Sequence, residues 1–186
     1  MTTSTTMTTA TFLEPGVWTI DPAHTSIGFT IRHLKVAKVR GSFTSFSGSI
    51  TAGETPEDSS VEVSIEAASI DTGVEDRDEH LRSPDFLEAG KYPALTFEST
   101  AVRETGSGLE VDGDLTIRDV TKPVTLEVEL AGTITDPWGT EKAVFSATAT
   151  IDREEWGLTW NAALEAGGFL VGKEVRIEIE AQAARS

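Results

Sequence analysis

Val124-Thr-Leu126-Glu-Val128-Glu-Leu130-Ala-Gly132-Thr-Ile134 alternates apolar and polar residues along its length. A period of two is the signature of a half-buried strand, because successive side chains of an extended chain point to opposite faces. The polar phase carries Thr125, Glu127 and Glu129, so the outer face is wet and the other is apolar. A membrane-spanning barrel would show the reverse. The C-terminal strand has the same arrangement, with Val175, Ile177, Ile179 and Ala181 opposed by Arg176, Glu178 and Glu180. Upstream, Thr121-Lys122-Pro123 separates the quoted stretch from Leu109, Val111, Gly113, Leu115 and Ile117, which follow a turn at Thr105-Gly106-Ser107-Gly108. Downstream, Asp136-Pro137-Trp138-Gly139 is a type I turn leading to Phe145, Ala147, Ala149 and Ile151.

Nearer the N-terminus, Ile27, Phe29, Ile31 and His33 share one face. Val39, Gly41 and Phe43 continue in odd phase, then Phe46, Gly48 and Ile50 in even phase, so a bulge at Thr44-Ser45 is expected to bend the sheet. Val61, Val63, Ile65 and Ala67, then Leu95 and Phe97, complete about eight strands. Strands of ~10 residues are ~33 Å long, and a sheet of this size must close on itself or fold into a sandwich. The expected fold is all-β: an eight-stranded antiparallel barrel with an apolar interior. The alternative is an immunoglobulin-like sandwich, which the absence of Cys weakens slightly.

Between residues 70 and 97 the alternation stops. Asp71 or Thr72 is a candidate helix cap, Val74, Asp78 and Leu81 fall on one helical face, and Asp78 and Arg82 are spaced for an i,i+4 pair. Ser83-Pro84 reads as the restart of a second turn that Ala89-Gly90 and Pro93 close. A short helical insertion at about residues 72–90 is therefore expected to cover an open end of the barrel.

A chain of 186 residues with 38% hydrophobic content is expected to form one domain, residues 16–186, behind a disordered tail, residues 1–15. That tail has no basic region or apolar stretch, so the cytoplasm is the expected compartment, or the periplasm or exterior if a leader was removed. No apolar run approaches the ~18 residues of a membrane helix, so a soluble protein without an integral membrane segment is expected. The formal charge of -16, with 15 scattered Lys and Arg, argues against nucleic acid and against resting on an anionic leaflet. With no Cys there is no disulfide, thiolate zinc site or cysteine nucleophile.

Function turns on whether the interior is full or hollow, since an eight-stranded barrel is just wide enough for either. Phe29, Phe43, Phe46, Leu115 and Phe145 mix inwardly with Gly41, Gly48, Gly113, Gly132, Ala147 and Ala149. Such a mixture either interdigitates or leaves a lane for a long apolar ligand. His24, His33 and His80 have no metal-ligand spacing, and Asp76, Asp78 and His80 read as a solvated helix face, so neither metal nor cofactor is expected. No Gly-x-Ser-x-Gly elbow or P-loop is present. His33, last in an inward apolar row, is either a rim histidine or a contact for a ligand head group. Trp156 and Trp160 are core or pocket wall.

Several short motifs, taken in order, carry a resemblance. They are Trp18-Thr-Ile-Asp-Pro-Ala-His24, Phe29-Thr-Ile-Arg-His33-Leu34, Gly41-Ser-Phe43, Ile70-Asp-Thr-Gly73 and Arg77-Asp-Glu-His-Leu-Arg82-Ser. Asp85-Phe86-Leu87, Tyr92-Pro93-Ala-Leu-Thr-Phe97, Leu115-Thr-Ile-Arg118, Thr121-Lys122-Pro123-Val124 and Arg153-Glu-Glu-Trp156-Gly157 follow. This series resembles the YceI-like family of polyisoprenoid-binding proteins over nearly everything after Val17. It departs at Asp119, where the family commonly has Gly, and at Trp156, where Phe is frequent.

The resemblance implies a lipocalin-like barrel whose tunnel holds a long isoprenoid or similar lipid, often in a homodimer. Inward phase selects Phe29, Ile31, Phe43, Phe46, Leu115, Ile117, Leu126 and Phe145 as tunnel lining, and the surrounding motifs add Phe97, Trp156 and Leu158. His33, Arg77, Arg82, Arg118 and Lys122 are candidates for a head group at the mouth, with carboxylates of this acidic chain competing for each cation. The expected function is non-enzymatic binding, transport or storage of a polyisoprenoid, such as a polyprenyl phosphate, with quinone or fatty acyl amide close behind. The alternatives are an enzyme using His33 with nearby carboxylates on a hydrophobic substrate, and a filled barrel serving as an interaction or stress-response module.

Overall fold

The computed structural model describes residues 12–165 and 167–186. Six strands precede the only α-helix among the described residues: β1 (Gly16–Ile20), β2 (Ser26–His33), β3 (Ala37–Phe43), β4 (Phe46–Ala52), β5 (Ser60–Glu66) and β6 (Ile70–Asp71). The helix, α1 (Glu75–Arg82), is followed by β7 (Ala94–Thr105), β8 (Gly108–Ile117), β9 (Val120–Thr135), β10 (Glu141–Asp152) and β11 (Val171–Arg185). The pairs β1/β2, β3/β4 and β5/β6 are halves of bent strands, so the eleven segments make an eight-stranded antiparallel barrel.

The bends have local causes. At the first, the Asp21 carboxylate accepts the Ala23 N–H at 2.9 Å and caps a single turn, Pro22–His24. The second falls at Thr44-Ser45, where the change of hydrophobic phase placed it. It is tied to the third, Ala67–Ser69, by the Thr44 N–H on the Ser69 carbonyl at 3.2 Å and the Glu66 N–H on the Ser45 carbonyl at 2.9 Å. Strand β1, which the sequence reading did not identify as a strand, closes the ring by pairing Trp18 with Ile50 of β4 and with Arg185 of β11. Five residues with two inward side chains are too short a run for periodicity to declare.

The insertion covers one end of the barrel, as expected, but its caps differ. Val74 precedes α1 and contributes no side-chain cap. Instead Asp78 reaches back from inside the helix and accepts from the Thr72 N–H at 2.8 Å and the Thr72 hydroxyl at 2.6 Å. It is therefore buried and unavailable for the i,i+4 pair, so it does not solvate the helix surface. Arg82 turns to the Ala68 carbonyl at 3.0 Å and the Glu75 carboxylate at 3.3 Å. Ser83-Pro84 starts hydrogen-bonded turns rather than a second helix, because the Ser83 hydroxyl donates to the His80 carbonyl at 2.6 Å and so terminates α1.

The opposite end is closed by the chain's own N-terminal segment. Leu13 packs with Trp18, Ala52, Ala143, Phe145 and Ala183, and the Trp18 indole donates to the Glu14 carbonyl at 2.9 Å. The expected tail thus stops short of Pro15: residues 1–11 lie outside the described residues, but Leu13 is core. Burial of a leucine side chain, worth about 1.5–3 kcal/mol, is what holds it there.

Candidate functional site

Inside the barrel runs a cavity of about 650 Å³, within the usual ~300–1,000 Å³ range of small-molecule sites. The interior is therefore hollow rather than filled by side chains. The reason lies in the glycines, which do not themselves form the lane. Phe29 stands directly across from Gly41, and a Cβ at Gly41 would come within 2.4 Å of the Phe29 ring. A Cβ at Gly113 would come within 2.3 Å of the Phe97 ring. Each phenylalanine lies down over a glycine on the neighbouring strand, so large and small residues do interdigitate, but along the wall. The axis stays open.

Of the expected lining, Phe29, Ile31, Phe43, Phe97, Leu115, Ile117, Leu126, Phe145 and Leu158 face the cavity. Phe46 does not, although it pairs with inward Ile65; it is the first residue after the Thr44-Ser45 bend and only half-buried. Trp156 does not either. It ends a 3-10 turn, Arg153–Trp156, and is packed into the wall with its indole N–H on the Leu115 carbonyl at 2.9 Å. Trp160 is the pocket wall of the pair.

Polar groups gather at the helix end. His33 and Arg77 reach the cavity, as expected, and His80 and Asp76 join them. Arg77 is fixed through the Thr72 hydroxyl at 2.7 Å and the Thr72 carbonyl at 2.9 Å, and Thr72 is itself held by buried Asp78. No carboxylate of the described residues forms an ion pair with Arg77. His80 stacks edge-on against Trp160, with ring centres 4.6 Å apart, and against Phe86 at 5.1 Å, while its Nε2 shares a hydrogen bond with Asp85 at 2.9 Å. These three rings form one side of the mouth. The sequence reading set His80 aside as a solvated residue; an i,i+6 aromatic partner, Phe86, was the available signal.

The other head-group candidates are occupied elsewhere. Arg118, in a left-handed turn at φ 58°, pairs with Glu88 at 3.0 Å and lies over the Tyr92 ring at 5.7 Å. Arg82 pins α1 to the third bend, and Lys122 is exposed outside the cavity. His33 makes no ion pair with a carboxylate among the described residues. Nor does any group of three or more His, Cys, Asp or Glu among the described residues suit a metal ion.

Arg153 is the residue that the sequence reading did not single out. It lines the cavity floor of the mouth while almost fully buried, and its guanidinium donates to four carbonyls: Leu158 at 2.6 Å, Gly172 at 2.8 Å, Trp160 at 3.1 Å and Val171 at 3.4 Å. Burial pulls its pKa below the ordinary guanidinium value, with the negative charges of Glu154 and Asp152 opposing that shift.

Comparison with known proteins agrees with this geometry. The YceI-like domain profile matches residues 18–183. A UPF0312 protein of Vibrio parahaemolyticus is 43% identical over 138 residues, 73% of each chain. Protein YceI of Escherichia coli is 43% identical over 136 residues, 73% of this chain and 71% of its own. Among solved structures, the YCEI protein of Campylobacter jejuni superposes with a TM-score of 0.71 at 30% identity, covering 89% of this chain and 96% of that one. BcnA of Burkholderia cenocepacia gives 0.77 at 22% identity, covering 88% and 98%. A polyisoprenoid-binding domain from Saccharophagus degradans gives 0.66 at 14% identity, covering 91% and 98%, and so shares the fold.

Proposed function

The chain belongs to the YceI-like family, and from that premise and the shape of its interior we propose that it is a non-enzymatic carrier of a long-chain amphipathic lipid. A polyisoprenoid, as polyprenyl phosphate or isoprenoid quinone, is the leading cargo. One observation carries the reading: an apolar cavity whose charged and imidazole groups, His33, Asp76, Arg77, His80 and the buried Arg153, all gather at one end. That polarity fits a ligand with an apolar chain and one polar head. A domain of the same fold from Saccharophagus degradans binds polyisoprenoid, which supports the class of cargo.

Energetics favour a carrier without chemistry. Each buried CH₂ contributes about 0.8 kcal/mol, so ten of them offset much of the ~4–15 kcal/mol cost of association and ordering. A smooth apolar wall discriminates chain length by only ~1–3 kcal/mol per methylene, so selectivity must come from the head. We assign that role to Arg77, which reaches the cavity and makes no ion pair among the described residues. The Arg77→Ala variant is expected to lose roughly ten- to a hundredfold in affinity for polyprenyl phosphate, the worth of a charge-assisted hydrogen bond, while quinone affinity stays unchanged. Displacement of a fluorescent lipid by each ligand measures this. Equal loss for both ligands would remove Arg77 from head-group recognition. Homodimer formation belongs to the same proposal and is read by analytical ultracentrifugation.

A further inference from the structure

The chain carries 31 acidic residues, yet residues 22–53 contain none. That segment holds Arg32, Lys35 and Lys38 on or beside the tip of the β2–β3 hairpin and Arg40 ~10 Å further along β3, all exposed. Arg32 stands directly across from Lys38, and Arg40 across from Thr30, whose other neighbour is Arg176. Like charges placed opposite each other destabilise a strand pair, so this arrangement does not serve the fold. Among the described residues none of the four hairpin cations makes an ion pair, whereas Arg103, Arg118 and Arg185 all do.

The tip itself is apolar and strained. Leu34 is 47% exposed, Val36 82% and, on the adjoining segment, Phe169 59%. Leu34 and Lys35 both hold left-handed backbone, at φ 52° and 65°, where Gly or Asn would be cheaper. Between the hairpin and residues 161–173 lies a cleft of about 320 Å³ lined by Arg32, Lys35, Lys173 and Phe169. Lys173 is engaged by Glu154 at 3.2 Å, which leaves Arg32 and Lys35 as the unpaired cations of the cleft. On the inner side of the same wall, His33, Leu170 and Val171 line the lipid cavity.

We propose that the β2–β3 tip and its basic cleft dock the mouth of the barrel onto an anionic bilayer, with Leu34, Val36 and Phe169 entering the headgroup layer and the four hairpin cations meeting lipid phosphates. The net charge of -16 argues against any flat approach, as the sequence suggested. Screening confines that repulsion to ~8–10 Å, so the molecule approaches by the hairpin tip, whose own residues 32–40 carry four cations and no acid, while Glu165 and Glu174 flank it on the adjoining segments. Exposed apolar side chains ringed by cations are the chemistry of interfacial attachment. Docking in this orientation sets the mouth against the leaflet. It rests on surface residues alone and holds whatever the cavity contains.

The test is flotation of the full chain with vesicles of phosphatidylcholine alone and of phosphatidylcholine with phosphatidylglycerol in equal parts. The protein is expected to float with the mixed vesicles only, and to be released at ~0.5 M salt, where the Debye length is a few Å. Lys35→Glu with Lys38→Glu is expected to lower partitioning at least tenfold, since each cation near the surface is worth roughly fivefold. Leu34→Gly with Val36→Ser is expected to weaken flotation while the melting temperature holds or rises, because a strained position is relieved. Equal flotation on both vesicle types, no flotation, or flotation unchanged by the charge reversal overturns the proposal. So does a tip variant that converts a dimer to a monomer in light scattering without altering flotation, which would assign the tip to a second copy of the chain.

Discussion

Replacing Arg153 by alanine is expected to cost about 3–5 kcal/mol of folding stability, a large share of the ~5–15 kcal/mol that holds a domain together. The side chain donates to the carbonyls of Leu158, Trp160, Val171 and Gly172, which belong to the two chain segments flanking residues 161–170. Without it, the Leu158, Trp160 and Gly172 carbonyls lose the guanidinium donor at ~1–3 kcal/mol for each that is left buried, while the Val171 carbonyl keeps the Asn161 amide at 2.8 Å. The damage should reach function as well, because Leu158, Trp160 and Val171 form the cavity wall at the mouth. Urea unfolding measures the midpoint and lipid displacement the uptake. Arg153→Lys keeps the charge but presents a single nitrogen, so it should recover only part of the loss. A midpoint unchanged by Arg153→Ala would mean that the four bonds do not organise the rim.

The second large effect is expected at Gly41. A Cβ there meets the Phe29 ring at 2.4 Å and the Thr72 methyl at 2.9 Å, and both neighbours are side chains. The Gly41→Val variant should therefore fold, at an overpacking cost of ~1–3 kcal/mol, by lifting the Phe29 ring off the wall into the axis. The cavity loses its open lane, and lipid uptake should fall at least tenfold, a loss that ~1.4 kcal/mol already produces. Adding Phe29→Ala should restore uptake without restoring stability, which separates a blocked cavity from a damaged fold. At Gly113 the same substitution is a different experiment, because the added Cβ also meets the Glu98 carbonyl at 2.7 Å and the backbone must move.

The two glycines also show what a sequence can and cannot say here. Alternation along β8, β9, β10 and β11 gave strand and inward face directly, since a one-residue error would turn every side chain outward, whereas closure into a barrel was favoured over a sandwich only by strand length and count. Whether the interior was full depended on which glycine lies opposite which phenylalanine, and that is register, a relation between strands that no single strand displays. Trp156 was misplaced for a related reason: the period of two stops at Asp152, and a 3-10 turn puts the indole into the wall instead of the cavity. The mouth was least legible. Arg118 finds its partner Glu88 thirty residues away in the chain. Asp78 looked like a helix-surface acid by spacing, yet the loop before the helix folds back onto it through Thr72 and so positions Arg77. Charge pairing of this kind is long-range and leaves no periodic trace.

Native mass spectrometry of the protein purified from its own host, followed by extraction of whatever is bound, tests the central claim most directly. A stoichiometric adduct with a long apolar chain and a single polar head, released on unfolding, is the predicted result. A protein that is empty as isolated and also rejects added polyprenyl phosphate and isoprenoid quinone would contradict the carrier and leave the kinship as one of fold.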